Sequence, residues 1–109
     1  MCAQDNPLTD DLGNVSDSFQ DNFFEALKQK GIENYELALN ALEKAEVAAG
    51  DNQVNKAVVY FEKGKNLAFL KRFEDAEKNY NLVLEWNPNR LDVLEALYDM
   101  YYDIKNYKA

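Results

Sequence analysis

Three features of this 109-residue chain predict an all-α architecture, an array of stacked antiparallel helix hairpins. Apolar residues recur at helical intervals in five successive segments. No segment alternates with the period of two that a strand needs. An aromatic-x-x-Ala figure also returns: Tyr35-Glu36-Leu37-Ala38 and, 38 residues on, Phe73-Glu74-Asp75-Ala76. A further aromatic, Tyr107, follows Phe73 by 34 residues and reads as the opening of another such segment. Self-similarity at this period marks helix pairs that are each too thin to bury their own apolar face and so stack on their neighbours.

Residues 1–15 hold Pro7, Gly13 and many Asp and Asn residues, and read as a flexible acidic arm. Ser16 is placed to cap a first helix from about Asp17 to Lys30, with Phe19, Phe23, Ala26, Leu27 and Lys30 on one face. Gly31 is expected to end it in a left-handed conformation. Asn34 caps the second helix, whose apolar face is Tyr35, Ala38, Leu39, Leu42, Ala45 and Ala49. The stretch Gly50-Asp51-Asn52 interrupts the pattern. A third helix is expected from about Val54 to Leu70, with Ala57, Tyr60, Phe61, Gly64, Leu67, Ala68 and Leu70 at helical spacing. After a tight turn at Lys71-Arg72, a fourth helix runs from Phe73 to Glu85 or Trp86, with Ala76, Tyr80, Val83 and Leu84 inward. Asn87-Pro88-Asn89 stops it, because proline cannot continue the hydrogen-bond ladder. The fifth helix spans about Leu91 to Lys105, with Val93, Leu94, Leu97, Tyr98, Tyr101, Tyr102 and Ile104 as its apolar residues. Helices joined by such short loops are antiparallel neighbours.

Composition limits the function. Asp and Glu number 20 against 12 Lys and Arg, a net charge of -8, which disfavours nucleic acid and anionic membrane surfaces as partners. There is no His, so the usual neutral-pH base and the commonest metal ligand are missing. A single Cys, Cys2, leaves no internal disulfide and no zinc spacing. No apolar run reaches the length of a transmembrane segment. The carboxylates scatter over helix faces beside lysines and form no catalytic pair. The expectation is a non-enzyme with no catalytic residues, no cofactor and no metal. The start, Met1-Cys2-Ala3-Gln4, has the form of a chain whose signal segment was removed, with Cys2 either lipid-bearing or the tail of the signal. That reading places the protein in a bacterial periplasm or cell envelope; the alternative is a plain cytoplasmic start.

Residues 57–90 resemble the tetratricopeptide repeat. With Ala57 as the first position, Tyr60, Gly64, Phe73, Ala76, Tyr80, Val83 and Pro88 fall where the 34-residue pattern has its large, small, aromatic and proline positions. Lys63, in place of the usual Leu, and the bulky Val83 depart from it. Tyr35, Ala38, Leu42 and Ala45 repeat the second-helix spacing, and Asn22 fits the preceding helix poorly. The resemblance implies a right-handed superhelical array of about 2.5 repeats over residues 16–109: 19–52, 57–90 and a half repeat 91–109. An insertion of four residues near Gly50–Val54 accounts for the 38-residue interval.

The resemblance further implies a protein-protein interaction scaffold, the front piece of a longer exported repeat protein. Its groove would be lined by the first helix of each repeat: Val58, Phe61, Lys65, Ala68 and Phe69, then Asp92, Glu95, Asp99, Tyr102 and Asp103, with Phe23 and Leu27 as the nearest equivalents in the first repeat. The basic clamp with which some family members hold a terminal carboxylate is absent, since Asp99 stands at such a place. A basic and apolar peptide is the expected partner. For Phe61, Phe69 and the tyrosines of the fifth helix, packing is the plainer role. The competing expectation is self-association, a homodimer through residues 91–109, because the fifth helix has a wide apolar face and no second helix beside it.

Overall fold

A computed structural model of the chain describes the backbone of residues 7–108 and the side chains of residues 17–106. Its elements are α1 (Pro7–Gly31), α2 (Tyr35–Ala49), α3 (Gln53–Phe69), α4 (Phe73–Trp86) and α5 (Leu91–Lys108), and no strand occurs among the described residues. Cys2, Ala3 and Gln4, with the reading placed on them, lie outside the described residues.

The first helix begins earlier than the sequence suggests. α1 starts at Pro7, so residues 7–15 are helical and Ser16 lies inside the helix instead of capping it. Pro7 takes the one helical position that suits proline, where no N–H is needed and the fixed φ is already helical. Read as a breaker, the same residue pointed to an arm.

The chain divides into two compact units, Met1–Lys56 and Ala57–Ala109. In the first, α1 packs on α2. Phe19 and Ala26 of α1 are buried, as are Leu42 and four alanines of α2: Ala38, Ala41, Ala45 and Ala49. Small side chains on a packed face let helix axes approach closely. Phe23 is half-buried and stacks on Phe19, with ring centres 5.8 Å apart and planes 11° apart.

The turn between α1 and α2 does not use Gly31, which is helical. Its left-handed residue is Glu33, at φ 64°. Glu33 N–H donates to Lys30 O at 2.9 Å and Asn34 N–H to Gln29 O at 2.8 Å, the paired closure of a Schellman motif. Asn34 makes no capping bond to α2; its amide donates to Gln29 Oε1 at 3.2 Å, back across the turn.

The same motif recurs within the second unit, 38 residues on. Lys71 has φ 65°, its N–H donates to Ala68 O at 3.0 Å, and Arg72 N–H donates to Leu67 O at 2.9 Å. Asn34 and Arg72, which precede α2 and α4, have almost the same backbone angles, φ -93° and ψ 70° against φ -91° and ψ 71°. The interval that spaces Tyr35 from Phe73 therefore also spaces two matching turns.

The second unit holds α3 from Ala57, α4 and α5. Gly64 of α3 lies close against Tyr80 of α4: a methyl on Gly64 would lie 2.4 Å from Tyr80 Cε1. Tyr80 is 2% exposed, and Ala57, Ala76, Val83, Val93, Leu97 and Met100 are buried with it. Three buried residues of α3 were not expected inward: Val59, Glu62 and Asn66. Asn52 caps α3 by accepting the Asn55 N–H at 3.0 Å. Asn87 closes α4, its N–H on Val83 O at 2.9 Å, and its side-chain oxygen accepts the Asn89 N–H at 3.3 Å in an Asx turn around Pro88.

α5 differs from expectation in two ways. It continues to Lys108, so Tyr107 lies within it and opens no new segment. Lys105, at the 34-residue spacing from Lys71, stays helical where Lys71 turns left-handed. Its inward face is also rotated. Val93, Leu97 and Met100 are buried and Ile104 is half-buried, whereas Leu94, Tyr98, Tyr101 and Tyr102 are exposed. The helix carries two apolar strips, and the strip of slimmer side chains is the one that packs.

Candidate functional site

The second unit contains a groove of about 340 Å³ between α3 and α5. α3 contributes Lys65, Ala68 and Phe69, and Lys71 lies just beyond its end; α5 contributes Asp99 and Asp103. Ala96, Met100 and the Tyr80 ring complete the lining. The position of each side chain follows from helical geometry: Lys65 and Phe69 are one turn apart on α3, and Asp99 and Asp103 one turn apart on α5.

Phe69 is 58% exposed, unusual for a phenylalanine beside packed neighbours, and it presents its ring to the groove. Lys65 is held in place. Its ammonium lies 2.9 Å from Glu62 Oε2 and 4.2 Å from the centre of the Phe61 ring. The Arg90 guanidinium is 5.5 Å from the same ring, and Tyr80 meets Phe61 edge-on at 6.0 Å. Phe61 thus packs between cations and a buried tyrosine. Arg90 in turn forks onto Asp92 with bonds of 2.9 and 2.7 Å, and this hydrogen bonding holds the Asp92 carboxyl below its usual range.

Burial, reinforced by the negative charges of Glu62 and Asp99, pushes the Tyr80 hydroxyl up to about 12. The Tyr101 hydroxyl donates to Glu77 of α4, and that bond, with some burial, raises it above its ordinary value. Among the described residues no cluster of three or more potential ligands could hold a metal ion. No helix among them is long and apolar enough to cross a membrane.

Of the residues singled out in the sequence, the groove gathers Lys65, Phe69 and Asp99. Phe61 lies behind Lys65 in the packing described above. Glu95 and Tyr102 are exposed on α5 and do not line the groove. Phe23 and Leu27 are half-buried in the first unit. That unit has a separate, polar recess of about 240 Å³, lined by Asn22, Glu25 and Gln29 of α1 and Leu37, Asn40, Ala41 and Lys44 of α2, which includes neither residue. Met100 and Ala96 carried no signal beyond their place on α5's inward strip, which the tyrosine-rich strip obscured.

Comparison of the chain with protein-family models, with curated proteins and with solved structures finds no match in any of the three.

Proposed function

We propose that the chain is a protein-interaction module, built of tetratricopeptide-like helix pairs in a right-handed array, that holds a peptide segment of a partner in the groove between α3 and α5. The observation that carries this reading is the exposed Phe69 ring at the wall of an open, mostly apolar groove. An apolar floor walled by charged side chains, here Lys65, Lys71, Asp99 and Asp103, is a usual form of a peptide site. Two matching turns 38 residues apart, and close approach of helices at Gly64, a small-residue position of the repeat pattern, support the repeat architecture. The reading gives the chain no catalytic step and no cofactor.

Selection of displayed random peptides on the folded chain tests it. Peptides that bind saturably in the micromolar range and compete with one another are the expected outcome. Enrichment no greater than on an unrelated helical bundle would remove the reading.

A second reading, self-association with no peptide ligand, is favoured by a different observation. α5 exposes Leu91 (79%), Leu94, Tyr98 (71%), Tyr101 and Tyr102 along one strip. Sedimentation velocity over a hundredfold range of concentration decides it (roughly 1 to 100 μM). A single monomer boundary throughout would leave the strip without a second copy.

A further inference from the structure

Counted at the 34-residue interval, α5 repeats α3 with one systematic change. α3 has Ala57 and Gly64, both buried, and Gly64 lies against Tyr80 of α4. At the equivalent places α5 has Leu91 and Tyr98, both largely exposed. A helix laid on α5 as α4 lies on α3 would collide with the Tyr98 side chain, since a single added carbon at Gly64 already overlaps the Tyr80 ring. This face of α5 is therefore shaped for a wider contact than a repeat helix makes. Leu91, Leu94, Tyr98, Tyr101 and Tyr102 form it, and tyrosine, with an apolar ring and a polar tip, is enriched where proteins meet. At their exposures the five side chains offer on the order of 600 Å². Two such strips face to face would remove about 1,200 Å² from water, the lower edge of a specific interface. One charge frames each end of the strip: Glu95 toward its start and Lys105 toward its finish, both exposed. An antiparallel pairing of two strips sets each charge near its opposite, whereas a parallel pairing sets like on like.

We propose that this strip is the two-fold interface of a homodimer, in which α5 packs antiparallel on α5 of a second copy and crosses it midway between Tyr98 and Tyr102. Tyr98 of each copy then meets Tyr102 of the other, and Glu95 of each comes within reach of the other's Lys105. The assignment rests on the self-association reading above and names its surface and its geometry. A two-fold interface needs a patch that complements itself, and this strip does so in both shape and charge. A second copy supplies the opposite charge at both ends at once and matches the strip's own length. None of the five apolar residues lines the groove between α3 and α5, so the pairing uses none of the groove's walls.

The test is sedimentation equilibrium of the full chain at neutral pH and low salt. All proteins carry Cys2→Ser, so that no disulfide links two copies. The parent is compared with Tyr98→Asp, Glu95→Lys, Lys105→Glu, the exchange Glu95→Lys/Lys105→Glu and, as a control on α2, Val47→Asp. The parent is expected to dimerise in the micromolar range, and Tyr98→Asp to weaken the dimer about a hundredfold. Val47→Asp, which also places a charge on an exposed apolar residue, should leave the dimer constant unchanged. Each single charge reversal should weaken the dimer about fivefold, and the exchange should restore it to within about twofold of the parent. All the altered helix residues are exposed, so their variants are expected to keep the parent's circular dichroism spectrum. A dimer that resists Tyr98→Asp, or one that the exchange fails to restore, overturns the antiparallel α5 pairing and leaves self-association standing. Monomers at every concentration up to about 100 μM overturn both.

Discussion

Gly64 and Tyr80 are in a contact that only glycine permits: the ring carbons Cε1, Cδ1 and Cζ of Tyr80 would lie 2.4, 2.6 and 2.9 Å from a Cβ at position 64. Glycine in a helix interior costs roughly 1 kcal/mol against alanine, and this helix bears that cost in order to bring α3 against the buried tyrosine.

Gly64→Ala is therefore expected to destabilise the protein, although alanine is the better helix former. Overpacking against a buried ring costs about 1–3 kcal/mol and exceeds the gain in propensity. Denaturant titration measures the loss. Combining it with Tyr80→Leu should recover part of it, a coupling that the double-mutant cycle reads directly. A Gly64→Ala variant as stable as the natural chain would show that the two helices do not approach this closely.

Tyr80 should also make stability fall in alkali. Its hydroxyl is neutral when folded, and its folded value of about 12 lies above the ordinary 10.0. The contribution is complete below pH 10 and is lost as pH rises from 10 through 12. The loss follows from linkage, because the folded state disfavours the ionised form of the hydroxyl. Denaturation midpoints between pH 8 and 12 should fall less steeply in Tyr80→Phe than in the natural chain. Parallel curves would mean that the hydroxyl is not buried.

The turn after α1 gives a prediction opposite to the one its sequence suggests. If Gly31 were the left-handed residue, Gly31→Ala would cost about 1 kcal/mol. Gly31 is helical instead, with nothing within 4 Å of the place a methyl would take, so Gly31→Ala should stabilise by about 0.5–1 kcal/mol. Glu33→Gly and Lys71→Gly should each be neutral to stabilising, because those two residues hold positive φ. Thermal melting of the three variants checks all of this, and a lower melting point for Gly31→Ala would contradict the turn as described.

Asn66 is 1% exposed, and its Nδ2 donates to Glu62 O at 2.8 Å while its Oδ1 has no partner. A buried acceptor without a donor costs about 1–3 kcal/mol. Asn66→Leu, close to it in shape, is expected to raise stability by about 1 kcal/mol, and Asn66→Ala to lower it by opening a cavity. Chemical denaturation separates the two cases, and a destabilised Asn66→Leu would reveal a polar role for Oδ1.

Much of this fold can be read from the chain because its signals are local. The bounds of α2 and α4 follow from apolar spacing and from Asn87-Pro88, and Gly64 stands out as a place of close helix approach, although its partner Tyr80 is identified only by the packing. What escaped depends on choices between local options. Pro7 can break a helix or begin one, and Gly31 drew attention from Glu33, a residue type that seldom turns left-handed. α5 offered two apolar strips, and only the packing of α4 and α5 selects the one containing Met100. The groove shows the same division. Lys65, Phe69 and Asp99 share helical faces visible in the sequence, whereas the part of Ala96 and Met100 in its floor depends on the rotation of α5. Glu62 and Asn66 carry polar side chains on buried positions, which apolar spacing cannot flag.

The protein's proposed role depends on the groove between α3 and α5 being the place where a partner's peptide is held. Amide chemical shifts of the full chain, followed by NMR during titration with a peptide selected by display, test this most directly. The largest changes are expected at Lys65–Phe69 and Asp99–Asp103, saturating together with one affinity. Changes confined to residues 17–52, or to the exposed strip of Leu91, Leu94 and Tyr98, would contradict it.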